Sequence, residues 1–175
     1  MLFWNILGNI SILLKTINIY FARSSDVLQL SKQTCNFCAI YYSIDSLSEI
    51  VIYNRYAYIP HHLITIFLMY CIKTSSYHFE TIQEYSLLFF FIEYTSLLLN
   101  VRSLIRYYGK LNLNLELFFY TNYMIFRLFL IPIIIWRLDN IYMIICTILI
   151  YAMSVYWLYN WTSKIRIKYN LKLLK

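Results

Sequence analysis

"NIYMIICTILIYAMSVYWLYNW", residues 140 to 161, contains no charged side chain and is apolar over most of its length. The hydrocarbon core of a bilayer is about 30 Å thick, so a helix that crosses it needs roughly 20 mainly apolar residues. This stretch therefore predicts a membrane-spanning helix.

The composition of the whole chain agrees with this prediction. The chain has 175 residues, of which 61% are hydrophobic and 13% charged, and its mean hydropathy is +0.59. A typical soluble domain is about 45–50% apolar and about 25% charged. A chain of this length is expected to form a single domain, residues 1–175. No repeat, linker or second domain is visible in the sequence.

The same rule of length and apolarity finds six candidate spans along the chain, so the predicted fold is an all-α, polytopic transmembrane bundle of about six helices. By hydropathy, the fourth span and the last two spans are the clearest. No basic segment precedes the first, and no convincing small-residue site follows it, so a cleavable signal peptide is not expected. The candidates are residues 1–22, 34–53, 59–76, 83–101, 115–136 and 140–161.

The basic residues predict an orientation. The net charge is +7, but the lysines and arginines lie at the ends of apolar segments rather than on one soluble face, which argues against nucleic-acid binding. Since cytoplasmic loops are enriched in Lys and Arg, the more basic side should be cytoplasmic, with both termini. That side carries Arg55, Arg102, Arg106, Lys110, Lys164, Arg166, Lys168, Lys172 and Lys175; the other carries Arg23, Lys32, Lys73 and Arg137.

The cysteines do not predict a metal centre or a cofactor. Cys35 and Cys38 form a single C-x-x-C pair, and neither a second pair nor a suitably spaced histidine pair follows. Cys71 and Cys146 lie in apolar runs and are interpreted as small hydrophobic residues.

Two adjacent histidines, His61 and His62, open the third candidate span directly after Pro60. Neighbouring residues of a helix point about 100° apart, so the pair is unsuited to chelating one ion. Thr65 follows His61 by four residues and is expected on the same face. Two interpretations stay open: the imidazoles tolerate a wet interface, or they do chemistry.

Other ionisable and polar residues lie inside the candidate spans. Asp45 and Glu49 are four residues apart in the second, Glu93 lies midway along the fourth with Asn100 seven residues later, and Arg127 is central in the fifth. A charge at the bilayer centre costs roughly 2.5–3.5 kcal/mol, so we expect these groups to turn inward and nearly neutralise one another. They either lock the packing of the helices or line a lipid pocket.

Four stretches resemble, in order, the landmarks of the TLC domain, and together they cover about residues 38–135. This family includes translocon-associated membrane proteins, ceramide synthases of the longevity-assurance type and the ceroid-lipofuscinosis membrane protein. The chain is most similar to the small TLC-domain proteins. The stretches are "YYSIDSLSEI" (41–50), "HHLITIFL" (61–68), "IEYTSLLLNVRSLI" (92–105) and "FFYTNYMIFRLFLIP" (118–132). The residues that match by position are Asp45, His61, His62, Glu93, Asn100, Arg102 and Arg127.

The resemblance implies two functional classes. The first is a non-enzymatic protein that binds or organises membrane lipids and influences lipid composition or membrane-protein trafficking. The second is a ceramide-synthase-like N-acyltransferase joining an acyl-CoA to a sphingoid base. There His61 or His62 would be the general base, oriented by Asp45 or Glu93. However, the further histidine and paired aspartates of the synthases are missing from the corresponding stretch, "IQEYSLLFFFIEYTSLLLNVR" (82–102).

A third class, a channel or transporter, is compatible with the intramembrane charges, although the expected repeats are not visible. The resemblance also implies an endoplasmic reticulum or related endomembrane location. Membrane lipids are the expected partners, and self-association into a homo-oligomer is compatible with the sequence.

Overall fold

A computed structural model describes residues 2–52, 59–74 and 79–169, and these residues form six helices and no strand. The predicted all-α bundle is confirmed. The helices are α1 (Leu2–Phe21), α2 (Ser24–Val51), α3 (Ile59–Thr74), α4 (Phe79–Tyr107), α5 (Leu113–Ile135) and α6 (Ile141–Lys168).

Three of these helices are long and apolar enough to cross a membrane: Thr81–Tyr107, Leu113–Ile135 and Ile141–Lys168. The shorter or more polar α1, α2 and α3 complete the bundle. α1 packs chiefly on α4, α2 on α3, and α3 also on α6. All six helices contribute to one hydrophobic core, and a second cluster joins the end of α4 to α5 and α6.

Some boundaries differ from the predicted spans. α2 begins at Ser24 rather than at residue 34, and α6 continues to Lys168 rather than ending at 161. Hydropathy locates the segment that contacts lipid, whereas the helices extend into polar sequence beyond it. The last residue of the second predicted span, 53, and the last two of the third, 75 and 76, lie outside the described residues. So do Arg55, Lys172 and Lys175.

Side-chain and glycine caps set the turns between the last three helices. After α4, Gly109 adopts a φ of 68°, and the Lys110 N–H donates to the Ile105 carbonyl, which closes a Schellman-type end. Asn112 Oδ1 then accepts from the Leu115 N–H at 2.9 Å, and Asn140 Oδ1 caps α6 in the same way.

α5 contains a π-helical segment, Met124–Leu130, between two α-helical segments. Pro132 lies two residues after its end. A proline lacks the N–H that would bond to the carbonyl four residues earlier, and its ring crowds that carbonyl, so the helix widens before it. Arg127 lies within this widened segment.

The bundle has two ends that differ in their polar contacts. We call the end where α2 finishes and α3 begins the histidine end, because it contains His61 and His62. At the opposite end, the far end, Gln83 Nε2 donates to the Tyr20 carbonyl at 2.8 Å, and Arg137 pairs with Glu84 at 3.1 Å.

Candidate functional site: the polar interior

The carboxylates and the arginine that the sequence analysis placed inside the predicted spans are buried. Glu93 and Arg127 are each only 1% exposed, Asp45 is 6% exposed, and Glu49 is also buried. Thr65 is buried too, and its hydroxyl donates to the His61 carbonyl at 2.8 Å within α3. The interior of the bundle is therefore polar at several levels.

Glu93 lies at a junction of three helices. Tyr42 of α2 donates its hydroxyl to Glu93 Oε1, and Asn9 Nδ2 of α1 donates to Oε2 at 2.6 Å. Asn100, two turns further along α4, donates to Asn9 Oδ1 at 2.8 Å. The chain of bonds ties α1, α2 and α4 together and satisfies both carboxyl oxygens of Glu93.

Arg127 is held by neutral oxygens. Its Nε donates to Thr95 Oγ1 at 2.7 Å and its Nη1 to Ser154 Oγ at 3.2 Å. Its Nη2 donates to the Ile92 carbonyl and to Ser96 Oγ, both at 3.1 Å. No carboxylate lies within ion-pair distance of Arg127 in the described part of the chain. The widened turn of α5 thus presents the guanidinium to α4 and α6.

Arg102 forms a separate ion pair near the histidine end. Its Nε donates to Glu116 Oε2 at 3.2 Å and its Nη2 to Oε1 of the same carboxylate. Trp161 of α6 donates its Nε1–H to Glu116 Oε1 at 2.8 Å, and its ring centroid lies 4.6 Å from the Arg102 guanidinium carbon. This cluster joins α4, α5 and α6.

His62 contacts three side chains of α2. Its Nε2 lies 3.4 Å from Asp45 Oδ2, and its Nδ1 lies 3.0 Å from Ser46 Oγ. The Tyr42 ring packs against the imidazole, with the centroids 5.4 Å apart. All four side chains are buried, so the histidine is fixed between neighbours rather than placed in open water.

Several buried polar atoms at the histidine end have no hydrogen-bond partner among the described residues. They are Asn5 Oδ1, Asp45 Oδ1, Glu49 Oε2 and His61 Nδ1. Buried polar groups are nearly always bonded to protein or ordered water, because an unsatisfied one costs about 1–3 kcal/mol. These atoms are suited to receiving the polar groups of a ligand.

A narrow cavity lies toward the far end, between α1, α2, α3 and α4. Cys35, Cys38, Met69 and Phe89 are among its lining residues, and both cysteines are free thiols. The serine and threonine hydroxyls that line it, such as that of Thr34, which donates to the Leu30 carbonyl at 2.8 Å, are bonded within their own helices. The exposed wall of the cavity is therefore apolar.

The predicted charges do not form one mutually neutralised centre. The structure places Glu93, Arg127 and the His62–Asp45 contact in separate networks, and Arg102 pairs with Glu116. This difference arises because neutral donors and acceptors from neighbouring helices satisfy Glu93 and Arg127 locally. Sequence reasoning did not identify several of the partners: Asn9, Tyr42, Ser46, Thr95, Ser96, Glu116, Ser154 and Trp161.

Comparison with known proteins gives no match: no family model matches the chain, and neither the curated proteins nor the solved structures contain a significant similarity. The resemblance to the TLC domain rests on the order of the residues alone.

Proposed function

We propose that this chain is a membrane protein that binds lipid headgroups at the histidine end and thereby organises membrane lipids. The observation that carries this proposal is the group of buried, unpartnered polar atoms on Asn5, Asp45, Glu49 and His61. Buried polar atoms nearly always have a hydrogen-bond partner, so a bound polar group offers a natural partner for these atoms.

The chemistry of these atoms suggests what the headgroup must offer. The carboxylate oxygens of Asp45 and Glu49 and the amide oxygen of Asn5 accept hydrogen bonds, so the ligand should carry hydroxyl or ammonium donors. Apolar side chains of α2 and α3 next to this site are exposed, and the ligand's acyl chains can lie along them. They are Ile44, Leu47, Leu63 and Phe67.

Lipid copurification tests this proposal. Native mass spectrometry of the purified chain should show retained lipid, and Asp45→Asn together with Glu49→Gln should reduce the retained fraction by roughly tenfold, since about 1.4 kcal/mol corresponds to tenfold in affinity. The matched control is Glu84→Gln, whose side chain lies at the far end in a contact with Arg137. Equal retention by all variants would contradict a headgroup site at the histidine end.

A second candidate function, the ceramide-synthase-like N-acyltransferase, is supported by the 3.4 Å distance between His62 Nε2 and Asp45 Oδ2. A carboxylate beside an imidazole can orient a general base that takes a proton from an attacking amine. The purified chain would be given acyl-CoA and sphingoid base, with His61→Ala and His62→Ala as comparisons. N-acyl product that is lost in either variant supports this function, and its absence from the wild type contradicts it.

The cellular setting is part of the same proposal. The resemblance to the TLC domain supports an endoplasmic reticulum or related endomembrane, and the basic residues support cytoplasmic termini. An endomembrane location is consistent with a role in lipid composition or membrane-protein trafficking.

A further inference from the structure

Ser46 differs from the neighbouring serines of α2. Ser43 Oγ donates to the Ala39 carbonyl at 2.7 Å, and Ser48 Oγ donates to the Asp45 carbonyl at 2.7 Å. This pairing within one helix is the usual one for a helical serine. Ser46 Oγ instead lies 3.0 Å from His62 Nδ1, on another helix.

The contacts of His62 arrange three functional groups in a row. Asp45 Oδ2 lies 3.4 Å from Nε2, so the proton of the neutral imidazole belongs on Nε2, where it faces a carboxylate. Nδ1 is then free to accept the hydroxyl proton of Ser46. A serine hydroxyl, an imidazole base and an orienting carboxylate constitute a nucleophilic triad, which is recognised by geometry and roles rather than by sequence position.

The distance of these residues from the helix ends suits an ester substrate. Ser46 lies five residues before the end of α2 at Val51, and His62 lies three residues after the start of α3 at Ile59. At 1.5 Å per residue, both are about 5–8 Å from the helix ends. Lipid ester groups lie at the boundary between hydrocarbon and headgroups, where water is also present.

We propose that Ser46, His62 and Asp45 hydrolyse an acyl ester of a membrane lipid. Ser46 Oγ attacks the ester carbonyl carbon while His62 takes the hydroxyl proton, and His62 then gives this proton to the departing alkoxide. The acyl-serine that remains is attacked by water, whose proton passes through His62 to Ser46 Oγ. The net reaction consumes one ester and one water and releases an acid and an alcohol.

His61 supplies a further group for this reaction. Its Nδ1 has no hydrogen-bond partner within the described ranges, and its ring centroid lies 5.7 Å from that of His62. In the Nδ1–H tautomer it can donate to the oxyanion that forms on the carbonyl oxygen.

Covalent labelling tests the proposal without relying on a particular substrate. The full chain, reconstituted in phosphatidylcholine vesicles, is treated with an alkyl fluorophosphonate, and the modified residue is located by peptide mass spectrometry. We expect the adduct on Ser46. We expect His62→Gln and Asp45→Asn to lower the labelling rate by at least roughly 10²-fold, the lower limit for general acid–base assistance.

Controls separate chemistry from folding. Ser43→Ala removes an exposed serine three residues away and should leave labelling and the hydrolysis of a fluorogenic lipid ester unchanged. Ser46→Ala should abolish both while helical circular dichroism is retained. A folded wild type that stays unlabelled at Ser46, or a Ser46→Ala variant that hydrolyses ester at the wild-type rate, overturns the proposal. Lipid copurification from the same preparations reports on headgroup binding independently.

Discussion

At the scale of single residues, two pairs of arginine and glutamate differ in their surroundings. Glu116 is buried and accepts from Arg102 and from Trp161, whereas the Glu84–Arg137 pair is open, with 59% of the Arg137 side chain exposed. Exposed ion pairs contribute about 0–1 kcal/mol, while removing one member of a buried pair leaves the other charge uncompensated. The two pairs should therefore respond differently to the same chemical change.

Glu116→Gln is expected to lower the free energy of unfolding by about 2–3 kcal/mol, because charged hydrogen bonds from Arg102 are lost in a buried position. Glu84→Gln, the matched control, should cost less than about 1 kcal/mol. Denaturant titration in mixed micelles measures both. Equal losses would show that the Arg102–Glu116 pair is not effectively buried.

The sequence could identify buried charges but not all of their partners. Asp45, Glu93 and Arg127 were predictable because an ionisable group in an apolar run has no favourable position except inside the bundle. Ser46 was not, since most helical serines bond to their own backbone and nothing local distinguishes one that does not. Glu116 was missed because a glutamate near the start of a helix is ordinarily explained by the helix dipole.

At the scale of helices, the two glycines of the chain serve different purposes. Gly8 lies where α1 approaches α2, and a Cβ at this position would overlap the Tyr41 ring. Gly109 has open space around it but a φ of 68°, a conformation that disfavours other residues, although asparagine tolerates it. One glycine is required by packing and the other by backbone conformation.

Substitution with alanine and asparagine distinguishes these roles. At Gly109, alanine should cost about 1 kcal/mol and asparagine less, because asparagine adopts positive φ more readily. At Gly8, alanine should cost about 1–3 kcal/mol through overpacking, and the larger asparagine should cost at least as much. Thermal unfolding in detergent measures all four variants, and the same ranking at both sites would contradict this distinction.

Helix boundaries show a second limit of sequence reasoning. The polar start of α2, residues 24–33, was not predicted to be helical because it contains no apolar run. In the structure, Val27 packs with Ile19 of α1 and Ile82 of α4, so tertiary contacts stabilise this extension. The apolar cores of α4, α5 and α6, which hydropathy identifies directly, were predictable.

At the scale of the whole molecule, the alternation of the helices places the two ends on opposite sides of a membrane in the proposed topology. The turn after α4 lies at the histidine end, and the turn between α1 and α2 lies at the far end. The excess of basic residues on the former side predicts that it faces the cytoplasm.

Thiol labelling in sealed microsomes tests this orientation. A membrane-impermeant maleimide should modify Tyr108→Cys directly and Ser25→Cys only after permeabilisation, since these exposed positions lie at opposite ends. The unsubstituted chain controls for the native cysteines, of which Cys35, Cys38 and Cys146 are buried. The reverse pattern of protection would invert the proposed topology.

The hydrogen bonds of Arg127 also constrain the order in which the helices can assemble during synthesis. Its oxygen partners come from α4, which is synthesised before α5, and from Ser154 of α6, which is synthesised after it. Because three of the four hydrogen bonds go to α4, the guanidinium of α5 can bond to α4 first, and Ser154 completes the set only when α6 has been synthesised. Biogenesis of this protein should therefore keep α5 beside α4 until the final helix arrives.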